Sequence, residues 1–238
     1  RAPDAPPLLL IATVRPEGAD TAATIDPGRI RRVQVAPLEA DEAQALARQL
    51  LPRSTVSPSR AADIAREANG HPLFIDELVR FARSGGAPGE HATGLRLDEA
   101  LVTRVGALPP DARTLIEVAA VAGGPLRQTS AARAASLGPA EFAAALAMLR
   151  AERLIRTSGV RGADTVEPYH DRIREAVTDR LPTDTRRGHQ HALAIALEGS
   201  DYPPDPEVLA GHWLGAGETE RAATWTVRAA QAADQALA

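Results

Sequence analysis

The residues best placed to do chemistry are an arginine, a tight corner and a histidine, far apart in the chain. Arg15 closes the apolar run Leu8 to Val14 and is followed by Pro16. In open α/β sheets ligands bind at the carboxyl edge of the strands, where a guanidinium forms charge-assisted bonds with a terminal phosphate. Gly70-His71-Pro72 joins two helical patterns. Glycine stops a helix by accepting left-handed geometry, and proline opens the next because its missing N–H has no partner there. Such a corner is the cheapest way to turn a chain, yet it also aims backbone and an imidazole outward. His170 shares helical spacing with Ile173, Val177 and Leu181. Its ring is therefore expected to point inward from a helix start, either as a core histidine bonded to a carbonyl or as a donor to a phosphate.

Other chemistries are excluded by what is missing. No cysteine occurs, which removes disulfides, thiol nucleophiles and cysteine-based zinc sites, and a reducing cytoplasm is the natural compartment. All 27 basic residues are arginine. A Gly-x-x-x-x-Gly-Lys phosphate loop is therefore not encoded here, and lysine general-base or Schiff-base chemistry goes with it. His189 and His191 are two apart on a predicted helix and face different ways, so they make no zinc pair. Asp76 and Glu77 read as acids in the first turn of the helix from Pro72, explained by the helix dipole and by solvation. A net charge of −4 supplies no broad basic field for nucleic acid. The apolar run Leu8 to Val14 is far shorter than the roughly 20 residues that span a bilayer, and it lacks signal-peptide flanks.

The elements that must hold these residues are mainly helical. Leu8 to Val14 reads as a strand buried on both faces, and residues 32–35 as a second, shorter one. Two strands make no stable parallel sheet, so the remaining strands are expected outside this chain. Beginning at Arg1 without an initiator Met, the chain is expected to be a fragment or a processed product. From Ala40 the period becomes helical. One helix carries Ala43, Leu46, Ala47, Leu50 and Leu51, a second Ala61, Ile64, Ala65 and Ala68, and a third, from Pro72, buries Ile75, Leu78, Val79 and Ala82. Residues 85–94 are rich in glycine and small side chains and read as a linker. Beyond them come helices near 97–108 and 110–122, a helix from Pro139, two extended segments around Gly159 and Gly162, and a helix over 170–181. Helices followed by a hairpin are the order of a winged helix. The tail is read as helical hairpins, in which Ala222, Trp225, Thr226, Ala229 and Ala233 form an inward stripe like that of a tetratricopeptide (TPR) array.

These stretches, in this order, resemble a family, the STAND class of P-loop signalling ATPases, above all bacterial members joined to transcription regulators, adenylate cyclases or serine/threonine kinases. The matching segments are LLLIATVRPEG, VQVAPLEADEAQALARQLL, IAREANGHPLFIDELVR, LPPDARTLIEVAAVAG, LRAERLIRTSG, YHDRIREAVTDRLP and LAGHWLGAGETERAATW. The resemblance implies that Arg15 stands where the family has a sensor arginine. Gly70 and Pro72, with His71 between them, match its G-x-P motif beside the nucleotide base. Tyr169-His170-Asp171 resembles the winged-helix motif whose histidine meets the ADP β-phosphate. The implied organisation is the last strands of a P-loop ATPase sheet at 1–38, a helical lid at 39–84, a linker at 85–94, a winged helix at 95–182 and the start of a TPR-like array at 183–238. The family's phosphate loop and its magnesium-holding acid have no counterpart here. ATP hydrolysis by this chain alone is therefore not expected, and ATP or ADP, with magnesium, would be shared with an upstream segment.

The implied partners are that segment, proteins bound by the helical tail, and a second copy in a nucleotide-dependent homo-oligomer, with no membrane and a cytoplasmic setting. Two other readings stand beside this one. The chain could be a helical scaffold that binds proteins without nucleotide. Alternatively, the winged helix could bind DNA, against which Glu141 and Glu152 stand beside Arg150 and Arg153 on the helix that would enter the groove.

Overall fold

Helix packing built on alanine accounts for most of the structure. The computed structural model describes residues 31, 33–52, 58–83, 96–159, 164–202 and 204–237, and the chain divides into two units, Arg1–Pro37 and Leu38–Ala238. The expected strand Leu8 to Val14, Arg15 and the linker 85–94 lie outside the described residues. In the first unit, residues 33–37 belong to no strand and are exposed, including Val33 and Val35. The short strand read at 32–35 is therefore not seen at 33–35, where no described neighbour completes a ladder.

In the second unit the first three helices form one cluster. Helix α1 (Ala40–Leu50) opens on Glu39, whose N–H donates to the Glu42 carboxylate at 3.1 Å, a pairing that satisfies an otherwise orphan donor. It ends at Leu51, held extended by the following Pro52. Helix α2 (Pro58–Glu67) and helix α3 (Pro72–Arg83) pack on α1 and on each other. Ala43, Ala47, Ala61 and Ala68 are fully buried, and these small side chains let the axes approach Ile64, Ile75 and Leu78 closely. Every inward position read for α3 is buried, and Phe74 joins them.

The central part runs α4 (Leu97–Gly106), α5 (Pro110–Val121), β1 (Leu126–Arg127), α6 (Gln128–Ala134), α7 (Pro139–Ala151), β2 (Ile155–Ser158), β3 (Thr165–Pro168) and α8 (Asp171–Arg180). Leu115, Ile116, Val118 and Ala119 of α5 are fully buried and form its centre. The three strands form an antiparallel sheet in the order β1-β3-β2, with Val166 opposite both Leu126 and Thr157. Ile155, Val166 and Leu126 are buried, whereas the solvent side carries an Arg156–Glu167 pair at 3.0 Å and a Ser158–Thr165 hydroxyl bond at 2.9 Å. The two extended segments read around Gly159 and Gly162 are β2 and β3. Both β1 and α6 are additions to that reading.

The tail folds as α9 (Thr183–Glu198), α10 (Pro206–Ala216) and α11 (Thr219–Leu237), each packed on the next. A second small core joins Ala194, Leu209, Trp213 and Ala222. One Glu198 carboxylate oxygen accepts from both indoles, Trp213 Nε1 at 3.0 Å and Trp225 Nε1 at 2.7 Å, which fixes the three helices in register. The inward stripe read for α11 is corrected in part. Ala222 is buried and Trp225 and Ala229 are half-buried, but Thr226 and Ala233 are exposed because no described element covers that end. Among the described residues no helix is long and apolar enough to cross a membrane.

Candidate functional site

The corner between α2 and α3 is built by backbone rather than by side chains. Asn69 (φ 47°) and Gly70 (φ 71°) are successive left-handed residues, which stop α2 and reverse the chain within one turn. Only glycine fits at 70, since a Cβ there would overlap the Leu38 carbonyl oxygen and lie 3.1 Å from the Leu38 nitrogen. The same approach is fastened by Leu38 N–H donating to the Gly70 carbonyl at 2.9 Å. His71 N–H donates to Ala68 O at 2.9 Å, and His71 O accepts from Phe74 N–H at 3.0 Å and Ile75 N–H at 3.1 Å. The His71 backbone is thus consumed in ending one helix and starting the next, and Pro72 follows as the exposed first residue of α3. The imidazole is left for other uses.

That imidazole meets His170. Its ring stacks on Phe74 at 4.4 Å between centroids and 26° between planes, and the His170 ring stands edge-on to both, 5.2 Å from His71 and 4.8 Å from Phe74. Two of the regions singled out in the sequence are therefore in contact. Arg15 lies outside the described residues, and Gly70 and Pro72 flank the cluster without entering it.

His170 is the cap residue of α8, in extended geometry, with its Nδ1 accepting from Arg172 N–H at 3.2 Å. In the neutral ring the proton then resides on Nε2, making that atom the donor. The expectation of an inward-pointing ring is refined. Ile173 and Val177 are buried as read, but a cap residue has left helical geometry, so His170 leans on α3 and is only half-buried. Its neighbour Arg172 pairs with Asp98 of α4 at 2.9 Å, tying this end of α8 to α4.

Burial holds the His71 pKa below the ordinary imidazole value, which favours the neutral ring, and its Nδ1 is buried with no hydrogen-bond partner among the described residues. The cluster offers the flat faces of His71 and Phe74 with the His170 ring edge-on to both. Its stacked and edge-on rings suit the binding of a planar group.

A second polar cluster lies farther along α3, where the sequence reading of Asp76 and Glu77 needs correction. Neither acid is in the first turn. Glu77 is buried, and its carboxylate accepts from Arg104 of α4. Arg104 also donates to the Glu152 carboxylate at 2.7 Å and to the Glu152 carbonyl. Burial raises the Glu77 pKa while Arg104 opposes that rise. The helix dipole does not explain a carboxylate that is buried on α3 together with Phe74 and Leu78.

The remaining described histidines have neighbours of their own: His189 with Glu117 at 3.0 Å, His212 Nδ1 with Gln190 at 2.5 Å, and His191 edge-on to Trp213. Among the described residues no group of three or more potential metal ligands occurs. The sequence reading missed Phe74 as a site residue. Its signal was the three-residue spacing from His71, which brings two flat rings to one side of a helix start. No protein-family model matches this chain, and no curated protein matches it.

Proposed function

We propose that this chain is the lid-side part of a nucleotide-switched signalling ATPase of the STAND class, in which the corner at Gly70-His71-Pro72 and His170 together hold ADP. The observation that carries the reading is the contact of His71 and Phe74 with His170 across a long stretch of sequence. A G-x-P corner and a helix-capping histidine have no local reason to meet. A ligand shared by both gives them one. In this reading Phe74 and His71 lie against the base or ribose, and His170 lies on the phosphate side of the ligand. The phosphate loop and the magnesium acid come from another segment of the same protein. Exchange of ADP for ATP breaks the His170 bridge and frees an assembly surface.

The element order supports the architecture proposed with it. Helix, short strand, two helices and a two-stranded hairpin, in the sheet order β1-β3-β2, is the arrangement of a winged helix over α5 to β3. Helices α9 to α11 follow as the first hairpins of a TPR-like array. DNA binding is disfavoured by α7, the helix that would enter a groove. Its exposed residues are mostly alanine, with Glu141 and Arg150 the charged ones among them, so it carries no basic face.

The test is ADP release from the protein carrying its phosphate loop, followed with a fluorescent ADP analogue. His170→Ala removes one charge-assisted hydrogen bond, and release is expected to quicken by at least about tenfold. An unchanged release rate would remove His170 from the site.

A further inference from the structure

Beside its apolar packing, helix α3 meets the rest of its unit through the aromatic cluster at its start and a chain of charges farther along. That chain alternates in sign. Asp76 faces Arg80 at 3.2 Å, Arg80 faces Glu152 at 3.8 Å, Glu152 pairs with Arg104 at 2.7 Å, and Arg104 pairs with Glu77. Three separate elements meet in it, with Asp76, Glu77 and Arg80 on α3, Arg104 on α4, and Glu152 as the residue that ends α7. The Glu152 carbonyl, which accepts from Arg104, is at a helix end where carbonyls lack intrahelical partners, so the guanidinium also caps α7.

Burial divides the members into two sets. The Glu77 and Arg104 side chains are 8% and 17% exposed, whereas those of Arg80 and Glu152 are 48% and 43% exposed. The inner pair holds α3 to α4 and cannot be parted without stranding a charge away from water. The outer contacts reach α7 and face solvent. Helices α1 to α3 meanwhile pack on one another through alanine and Ile64 and meet α4 through the packing of α3 and through Leu97 N–H, which donates to the Glu67 carboxylate of α2 at 3.0 Å.

We propose that this charge chain is a conformational latch, with Arg104 as its fixed point and Glu152 as its release point, holding α1 to α3 closed against the end of α7. Release parts His71 and Phe74 from His170, because both rings belong to the corner that α3 carries with it. The latch therefore regulates the site proposed above and rests on that reading for its purpose, but its motion is measurable with no ligand present. A solvent-facing carboxylate that holds a closed state is also one that salt or a competing basic partner can relieve.

Hydrogen–deuterium exchange on the whole chain tests this. Glu152→Gln keeps the size and the backbone carbonyl while removing the charge that both arginines face. Amides of α1 to α3 are expected to exchange about fivefold faster, with α9 to α11 unchanged. Raising sodium chloride from about 0.05 M to 1 M is expected to accelerate α1 to α3 in the parent chain, and much less in E152Q, because its target is already gone. Glu175→Gln, which disturbs an exposed pair with Arg174 elsewhere, serves as the control and should leave α1 to α3 unaffected. Unchanged exchange in α1 to α3 of E152Q would overturn the latch. So would an equal acceleration in α9 to α11, which would mean loss of overall stability.

Discussion

Gly70→Ala is the substitution whose cost the geometry defines best. Alanine at φ 71° bears the left-handed penalty, about 1–2 kcal/mol. Its Cβ would also lie closer than 3.0 Å to the Leu38 carbonyl oxygen, a backbone atom that has no rotamer to move aside. The chain before α1 must then shift, which lengthens or breaks the 2.9 Å bond from Leu38 N–H to Gly70 O, about 1 kcal/mol more. The total is about 2–3 kcal/mol. For a unit of this size that corresponds to a fall of roughly 5–10 °C in Tm, read by circular dichroism at 222 nm. Gly106→Ala is the matched control, because nothing lies within 4 Å of the added methyl at the exposed end of α4, and its stability should be unchanged or higher by up to about 1 kcal/mol. If Gly70→Ala melts within about 1 °C of the parent, the close approach of Leu38 to the corner is wrong.

Burial lowers the pKa of both His212 and His71, so between their folded values and the ordinary 6.5 the unfolded chain binds more protons than the folded one. Stability is therefore expected to fall as pH drops below about 6.5, and His212→Gln should flatten that slope in urea titrations between about pH 7 and 5. A slope unaltered by the substitution would assign the acid sensitivity elsewhere. Ser130 is fully buried and its hydroxyl has no partner among the described residues, so Ser130→Ala should leave stability unchanged or raise it by up to about 1 kcal/mol. A loss greater than that would reveal a hydrogen bond to this hydroxyl.

The sequence was most legible where periodicity ran long. Helices α1, α2 and α3 follow their apolar spacing closely, and α5, α7 and the β2–β3 hairpin stand where the pattern put them. Strand β1 has two residues and α6 seven, too few for either period to show. Helix α6 was further masked by its composition, since Ala131, Ala134 and Ala135 bury without any large apolar side chain to mark a face. The stripe on α11 failed differently, because periodicity shows which face is apolar and not how far a partner helix extends. At the site, the corner and His170 were visible as residue types, but their contact is tertiary. Phe74 was not singled out, and Glu77 was read as a solvated acid. Glu77 pairs with Arg104, from an element that local spacing does not connect to it.

The account depends on His71 and His170 sharing one ligand. The most direct measurement follows the imidazole resonances of the chain's six histidines by NMR while ADP is added to about 10 mM, a range suited to weak binding without a phosphate loop. Saturable shifts confined to His71 and His170, absent in His170→Ala, are the predicted result. Resonances that stay still at both residues, or that move equally at His189, His191 and His212, would contradict it.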